Sequence, residues 1–307
     1  MERIMMPDPR SYLASRRRFL QAGVIGLCSA RPGWASLLRS VPTASPTAAS
    51  LRLGLVTYNW GKDWDLETLI ANCSATGYHG VELRSTHQHG VEITLSAADR
   101  QRVRRVFEGS DVELVGLGSA CEYHSPDPQQ LAANIAETKQ FSQLCHDLGG
   151  GGVKVRPNAL PEGVPVEQTL EQIGRSLNEV ARHAADLGVQ IRLEVHGRGT
   201  SSIPHIRTIM DVADHPNTVL CWNCNPQDLE GEGFEANFDL VRDRMGTVHI
   251  HDLRRDNYPW EALFERLKGC DNPGFTGWTL MEEGNIPDDI LAAMRENRVI
   301  WERLAGA

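Results

Sequence analysis

The chain lacks any apolar run of the roughly 20 residues needed to cross a bilayer. It also lacks a disulfide framework, because its seven cysteines are scattered through 307 residues. Cys221-Trp222-Asn223-Cys224 has CxxC spacing, but no second pair completes a zinc site. That motif falls in an expected strand and not at a helix start, so it is structural. No G-x-G-x-x-G lies between a strand and a helix, which removes the dinucleotide fingerprint. The glycine run Gly149–Gly152 precedes a strand, so it is no phosphate cradle. Positive charge is scarce where it would matter. The first fifty residues hold seven Arg and two acids, so they carry +5 and the remainder carries −14 of the total −9. A surface of that sign excludes a bulk nucleic-acid partner.

What the chain has at its front is an address. Ser15-Arg16-Arg17-Arg18-Phe19-Leu20 leads into the short, weakly apolar run Gln21–Leu27. A basic cluster before such a run is a signal-peptide layout, and this one resembles the bacterial twin-arginine signal. Small residues place cleavage after Ala35 or after Ala49, while Leu27-Cys28 is a poor lipobox. The resemblance implies the twin-arginine export machinery as a partner, and a periplasmic or secreted protein with no membrane attachment in its mature form. Residues 1–49 are therefore read as signal and linker, and residues 50–307 as one domain.

Within that domain, short apolar strands alternate with helical patterns. The strands are expected at Leu53–Tyr58, Gly80–Arg84, Glu113–Gly118, Val153–Arg156, Gln190–His196, Val219–Asn223, Thr247–Asp252 and Trp278–Glu282. Helices fall between them, from Leu66–Thr76 through Phe238–Arg244 and Trp260–Leu267 to a last one over Ile286–Leu304. Several stop at Gly, as in Ala75-Thr76-Gly77 and Leu187-Gly188-Val189. Eight βα units in roughly 250 residues make an α/β fold of the (β/α)₈ TIM-barrel type.

Strand parity then says which side chains enter the barrel. In Val153-Lys154-Val155-Arg156 the valines face the helices, so Lys154 and Arg156 point inward. The same alternation turns Glu82, Arg84, Arg192, Glu194, His196, His249, His251 and Glu282 inward. Barrel interiors are normally filled with branched apolar side chains, and buried charge needs a partner, water or a metal. Such an interior is suited to chemistry. Glu194, Asn223, His251 and Glu282 gather at the C-terminal ends of strands five to eight, where barrel active sites form. Two carboxylates, one imidazole and one amide oxygen suit one divalent cation, Mn²⁺ first, with Mg²⁺, Co²⁺ or Zn²⁺ as alternatives. Parity allows either His249 or His251 as the imidazole.

The segments Leu193-Glu194-Val195-His196-Gly197, Trp222-Asn223, His249-Ile250-His251-Asp252 and Gly277-Trp278-Thr279-Leu280-Met281-Glu282 together resemble the xylose isomerase-like barrel superfamily of sugar isomerases and epimerases. The resemblance extends from about Leu51 to Leu304. It implies a metal held by Glu194, Asn223, His251 and Glu282, and it is the resemblance alone that selects His251. The superfamily usually supplies Asp where this chain has Asn223, and Pro226 stands where a His is common. Those departures count against the related AP endonucleases, whose zinc cluster needs further His and Asp ligands.

The resemblance also implies proton transfer beside a carbonyl, with Glu194 and Glu282 as acid and base. His87, His89, Glu122, His124, Lys154, Arg156, His196, His249 and Arg254 are the candidates for binding a polyhydroxylated substrate. Export points to an unphosphorylated sugar or an oxidised sugar derivative, because sugar phosphates are cytoplasmic. Two alternatives stand beside the isomerase. One is a lyase that cleaves keto-glycosides by β-elimination through the same enolate; the other is a sugar-binding barrel that has lost catalysis. The sequence leaves a homo-oligomer open.

Overall fold

In the computed structural model, the structure describes residues 50–307. The signal and linker expected over residues 1–49 lie outside the described residues. Eight parallel strands close on themselves in chain order: β1 (Arg52–Val56), β2 (Gly80–Arg84), β3 (Glu113–Glu122), β4 (Gly152–Arg156), β5 (Gln190–Glu194), β6 (Thr218–Trp222), β7 (Met245–Ile250) and β8 (Trp278–Met281). The seam is the parallel pairing of β1 with β8, running from Arg52 opposite Trp278 to Leu55 opposite Met281. One helix follows each strand: α1 (Leu66–Thr76), α2 (Ala97–Glu108), α3 (Pro128–Leu148), α4 (Val166–Ala185), α5 (Ile203–Val212), α6 (Phe234–Val241), α7 (Trp260–Lys268) and α8 (Ile290–Ala305). This is the (β/α)₈ barrel that the alternation predicted. Among the described residues, no helix is long and apolar enough to cross a membrane.

Local chemistry sets the element boundaries. The Asp65 carboxylate accepts from the Thr68 amide to open α1, and Gly77 closes it in the left-handed region at φ 75°. The last helix starts four residues later than expected, because Asp289 caps it by accepting from the Ala292 amide. The sixth begins four residues earlier, directly after Gly233 at φ 90°, and ends in a short 3₁₀ turn over Arg242–Arg244. Strands five to eight are each shorter at their C-terminal ends than expected. His196, Asn223, His251 and Glu282 therefore sit on loops, just past the sheet.

Outward-facing strand residues and the inner helix faces share one large apolar core. Val56, Val115, Trp278 and Leu280 form a smaller, separate apolar cluster. Beside it lies Arg192, 2% exposed, whose guanidinium donates to the Val115 carbonyl at 3.0 Å and to the Gln190 side chain at 3.2 Å. The guanidinium fits only because β4 begins with a glycine. A Cβ on Gly152 would stand 2.4 Å from Arg192 Nε. Gly152→Ala should therefore cost about 1–3 kcal/mol, the usual penalty for overpacking a filled interior, read as a lower urea midpoint at unchanged slope.

Candidate active site

Above the Arg192 level the barrel interior turns ionic. Glu82 from β2, Lys154 from β4, Glu194 from β5 and His249 from β7 are each no more than 2% exposed. Glu282, one residue beyond β8, closes the group at 8%. His249 is the hub. Its Nδ1 lies 3.5 Å from Glu194 Oε1 and 3.3 Å from Glu282 Oε2, while its Nε2 lies 3.3 Å from Glu82 Oε1. Lys154 Nζ donates to Glu194 Oε2 at 2.9 Å, and Arg84 Nη1 stands 3.9 Å from Glu282 Oε1.

The charges in this cluster hold one another in place. Burial alone would raise the Glu194 carboxyl, but the Lys154 ammonium and His249 outweigh it and hold that carboxyl far below the usual carboxylate range. Burial works against Glu282 ionising as well, and His249 overcomes it. For His249 the balance runs the other way. Burial disfavours the imidazolium, yet neighbours including Glu282 and Glu82 raise its pKa well above the ordinary histidine value.

The donor set suits a divalent cation. Glu194, His249 and Glu282 each offer one ligand atom, and those atoms lie within 4.8 Å of one another. Both His249 ring nitrogens are buried without an aligned hydrogen bond, and so is Asn223 Oδ1. Unpartnered polar atoms at such depth are costly and uncommon. The two carboxylates are those the sequence analysis expected as ligands, and the imidazole beside them is a different one.

The difference is the imidazole. The structure brings His249, and not His251, between the two carboxylates. His251 lies one residue beyond the end of β7 at Ile250. The His251 ring instead lies 2.6 Å from the Glu282 carbonyl oxygen and 3.1 Å from that of Asn223. It fastens the loops after β6 and β8 together at the height of the site.

Three of the expected substrate-binding residues are committed elsewhere. His89 sets Nε2 2.8 Å from the Arg84 carbonyl and accepts from the Val91 amide at Nδ1, and burial lowers its pKa to about 4. It is a neutral brace inside the loop after β2. Arg254 makes two bonds to Asp252, at 2.7 and 2.8 Å, and one to Glu296 on α8. Lys154 is sealed beneath Glu194. The remaining five, His87, Glu122, His124, Arg156 and His196, are half-buried around the mouth. His87, His124 and His196 each leave Nδ1 unpartnered, and Arg156 leaves Nε so. Glu122 accepts from Asn158 and lies 3.8 Å from Arg156.

Backbone strain marks the same rim. Thr86, Asn158 and Cys224 adopt φ values of 68°, 70° and 46° just past β2, β4 and β6. Non-glycine residues in that region are costly and cluster at functional sites. A Cβ on Gly197, at φ 95°, would meet the Asn158 carbonyl oxygen at 1.9 Å, so only glycine lets the loops after β4 and β5 touch.

Two groups escaped the functional reading of the sequence. Glu82 was placed inward by parity but given no role, although a charged residue amid Val81 and Leu83 was the available signal. The second is a buried chain in which Trp222 Nε1 donates to Tyr258 Oη, and Tyr258 Oη donates to Asp228. It anchors the strand end that presents Asn223, and nothing local in the sequence links its members. Burial raises Asp228 to about 7, against hydrogen bonds that favour its charge. The folded chain thus keeps a proton that the unfolded chain releases near pH 4. Asp228 should add stability in full below about pH 4 and lose it as pH rises through 7, by up to about 1.4 kcal/mol per pH unit. Urea midpoints from pH 5 to 8 should show this slope, and Asp228→Asn should flatten it.

Comparison with known proteins decides the family. Residues 70–300 match the xylose isomerase-like TIM barrel family. The chain belongs to that family. This xylose isomerase-like barrel is 23% identical over 231 residues to L-ribulose 3-epimerase from Methylomonas sp. (strain DH-1), covering 70% of this chain and 79% of that one. Its fold is similar to that of 3-keto-D-glucoside 4-epimerase from E. coli, with a TM-score of 0.68 at 14% identity over 82% of this chain and 99% of that one. It is similar also to the IolI protein, solved with a bound zinc atom, with a TM-score of 0.69 at 17% identity over 83% and 98% of the two chains.

Proposed function

We propose that this barrel is an exported, divalent-cation-dependent isomerase or epimerase of unphosphorylated sugars or oxidised sugar derivatives. The observation that carries the reading is the pair of buried carboxylates, Glu194 and Glu282, facing each other across His249 at the C-terminal mouth. The epimerase activities in the names of two relatives support it. The twin-arginine resemblance of Ser15–Leu20 supports export.

Glu194, His249 and Glu282, with Asn223 Oδ1, would hold the cation. When bound, it polarises the substrate carbonyl and stabilises the negative charge that develops on its oxygen. One carboxylate takes the proton from the carbon beside that carbonyl, leaving the electron pair in an enediolate. A proton is then returned to the neighbouring carbon by the carboxylic acid so formed, or to the opposite face from solvent by way of the other carboxylate. Glu282, at the more exposed end of the pair and only loosely held by Arg84, takes the first proton. Lys154 keeps Glu194 ionised, and His87, His124, Arg156 and His196 bind the substrate hydroxyls through their unpartnered nitrogens.

The test is deuterium exchange. Free ketoses and 3-keto-glucosides are incubated with the metal-loaded protein in heavy water and examined by NMR and mass spectrometry. Carbon-bound deuterium in an isomer of the starting sugar supports the reading, and release of an aglycone would make the protein a lyase. Binding without exchange, with metal present, would leave a sugar-binding barrel and overturn the proposal. Full activity in both Glu194→Gln and Glu282→Gln would overturn the mechanism.

A further inference from the structure

The cation site contains a cation of its own. Lys154 is 1% exposed and Glu194 is 2% exposed, and the 2.9 Å bond between them occupies Glu194 Oε2. That bond commits one lone pair of Oε2, and Oε1 is the oxygen that faces His249. Lys154 has no way out. It enters the interior from β4 between Gly152 and Arg156, its backbone pairs with Arg192 on β5, and its carbonyl accepts from Ser119 at 2.7 Å. An incoming ion must therefore share Glu194 with an ammonium that cannot swing into solvent. Asn223 is neutral and supplies no charge to offset that ammonium.

We propose that Lys154 is a built-in counter-ion. It balances the buried carboxylates when no metal is present, and it weakens the hold on a divalent ion so that the ion exchanges readily. The proposal rests on Glu194, His249 and Glu282 forming the cation site. Two consequences follow from charge alone. Removing the ammonium leaves Glu194 wholly to the ion and removes a repulsive positive charge at close range. It also strips the ion-free protein of the partner that makes a buried Glu194 tolerable.

The experiment measures Mn²⁺ affinity by competition with a chromophoric chelator on the EDTA-stripped protein. The proteins are the wild type, Lys154→Met, Lys154→Gln and Asn223→Asp, each also melted with and without Mn²⁺. Both Lys154 variants should bind Mn²⁺ at least about tenfold tighter than wild type. The stripped wild type should melt close to its loaded form, whereas stripped Lys154→Met should melt lower and recover with Mn²⁺. Lys154→Gln keeps a hydrogen-bond donor for Glu194 without the charge, so it carries the test if Lys154→Met fails to fold. Binding in the Lys154 variants but not in the wild type would support the proposal in its strongest form. Affinity unchanged or weaker in both would overturn it while leaving the cation site standing. No binding in any of the four proteins, Asn223→Asp included, would remove the cation site and this proposal together.

Discussion

Glu282→Gln should lower the rate of carbon-bound deuterium exchange by about 10²–10⁴-fold, the usual contribution of a positioned acid or base. The size of the effect follows from the surroundings of the carboxylate. Its Oε2 lies 3.3 Å from His249 and its Oε1 3.9 Å from Arg84, so the group is charged, oriented and close to the mouth. Glutamine preserves volume and can still offer an oxygen to an ion, but it cannot take a proton. The loss should therefore fall on turnover and leave sugar binding largely intact, which a kcat against KM comparison separates. An equal loss in KM, with turnover preserved, would place Glu282 in substrate binding and the base elsewhere.

The second large effect should come from a residue that touches neither sugar nor metal. Glu82→Gln should weaken divalent-ion affinity about 10–100-fold, as removal of a supporting carboxylate commonly does. Glu82 is 0% exposed, and its Oε1 faces His249 Nε2 while the opposite ring nitrogen faces the two site carboxylates. Once an ion displaces the proton from Nδ1, a carboxylate at Nε2 would keep the remaining proton on that nitrogen and leave Nδ1 as the ligand. Neither oxygen of Glu82 has an aligned hydrogen-bond donor, so a glutamine amide in its place would turn a polar hydrogen toward the ring in some orientations. Isothermal titration of the stripped protein with Mn²⁺ checks this. An unchanged affinity would reduce Glu82 to a passive buried charge.

The fold was legible because it rests on repetition. Eight apolar strands, alternating with helices that end at Gly or begin at Asp and Ser, leave few other architectures. Parity was equally reliable inside the strands, where Lys154, Arg192, Glu194 and His249 are all buried as the alternation required. It failed at His251, one residue past β7, although it held at Glu282, one residue past β8. His251 continues the pattern on paper, but the strand has ended and its ring turns to the carbonyls of Asn223 and Glu282. The mouth residues were harder for a related reason. His89 and Arg254 sit on loops, and a loop side chain goes to the nearest satisfying partner. For His89 that is its own loop backbone, and for Arg254 it is Asp252 and Glu296. Nothing in their local sequence distinguishes such bracing from an open donor such as His196. Tyr258 and Asp228 lie on separate loops, and only the closed barrel brings them together.

The cysteines beyond residue 50 have a use that has nothing to do with the site. All six, Cys73, Cys121, Cys145, Cys221, Cys224 and Cys270, are buried free thiols, and burial raises the pKa of each. A buried thiol that resists ionisation reacts with a labelling reagent only when the chain around it opens. Because they are spread from α1 to the segment after α7, their labelling rates would time the opening of successive parts of the barrel. The chain thus carries its own set of clocks for unfolding, readable by mass spectrometry without a single substitution.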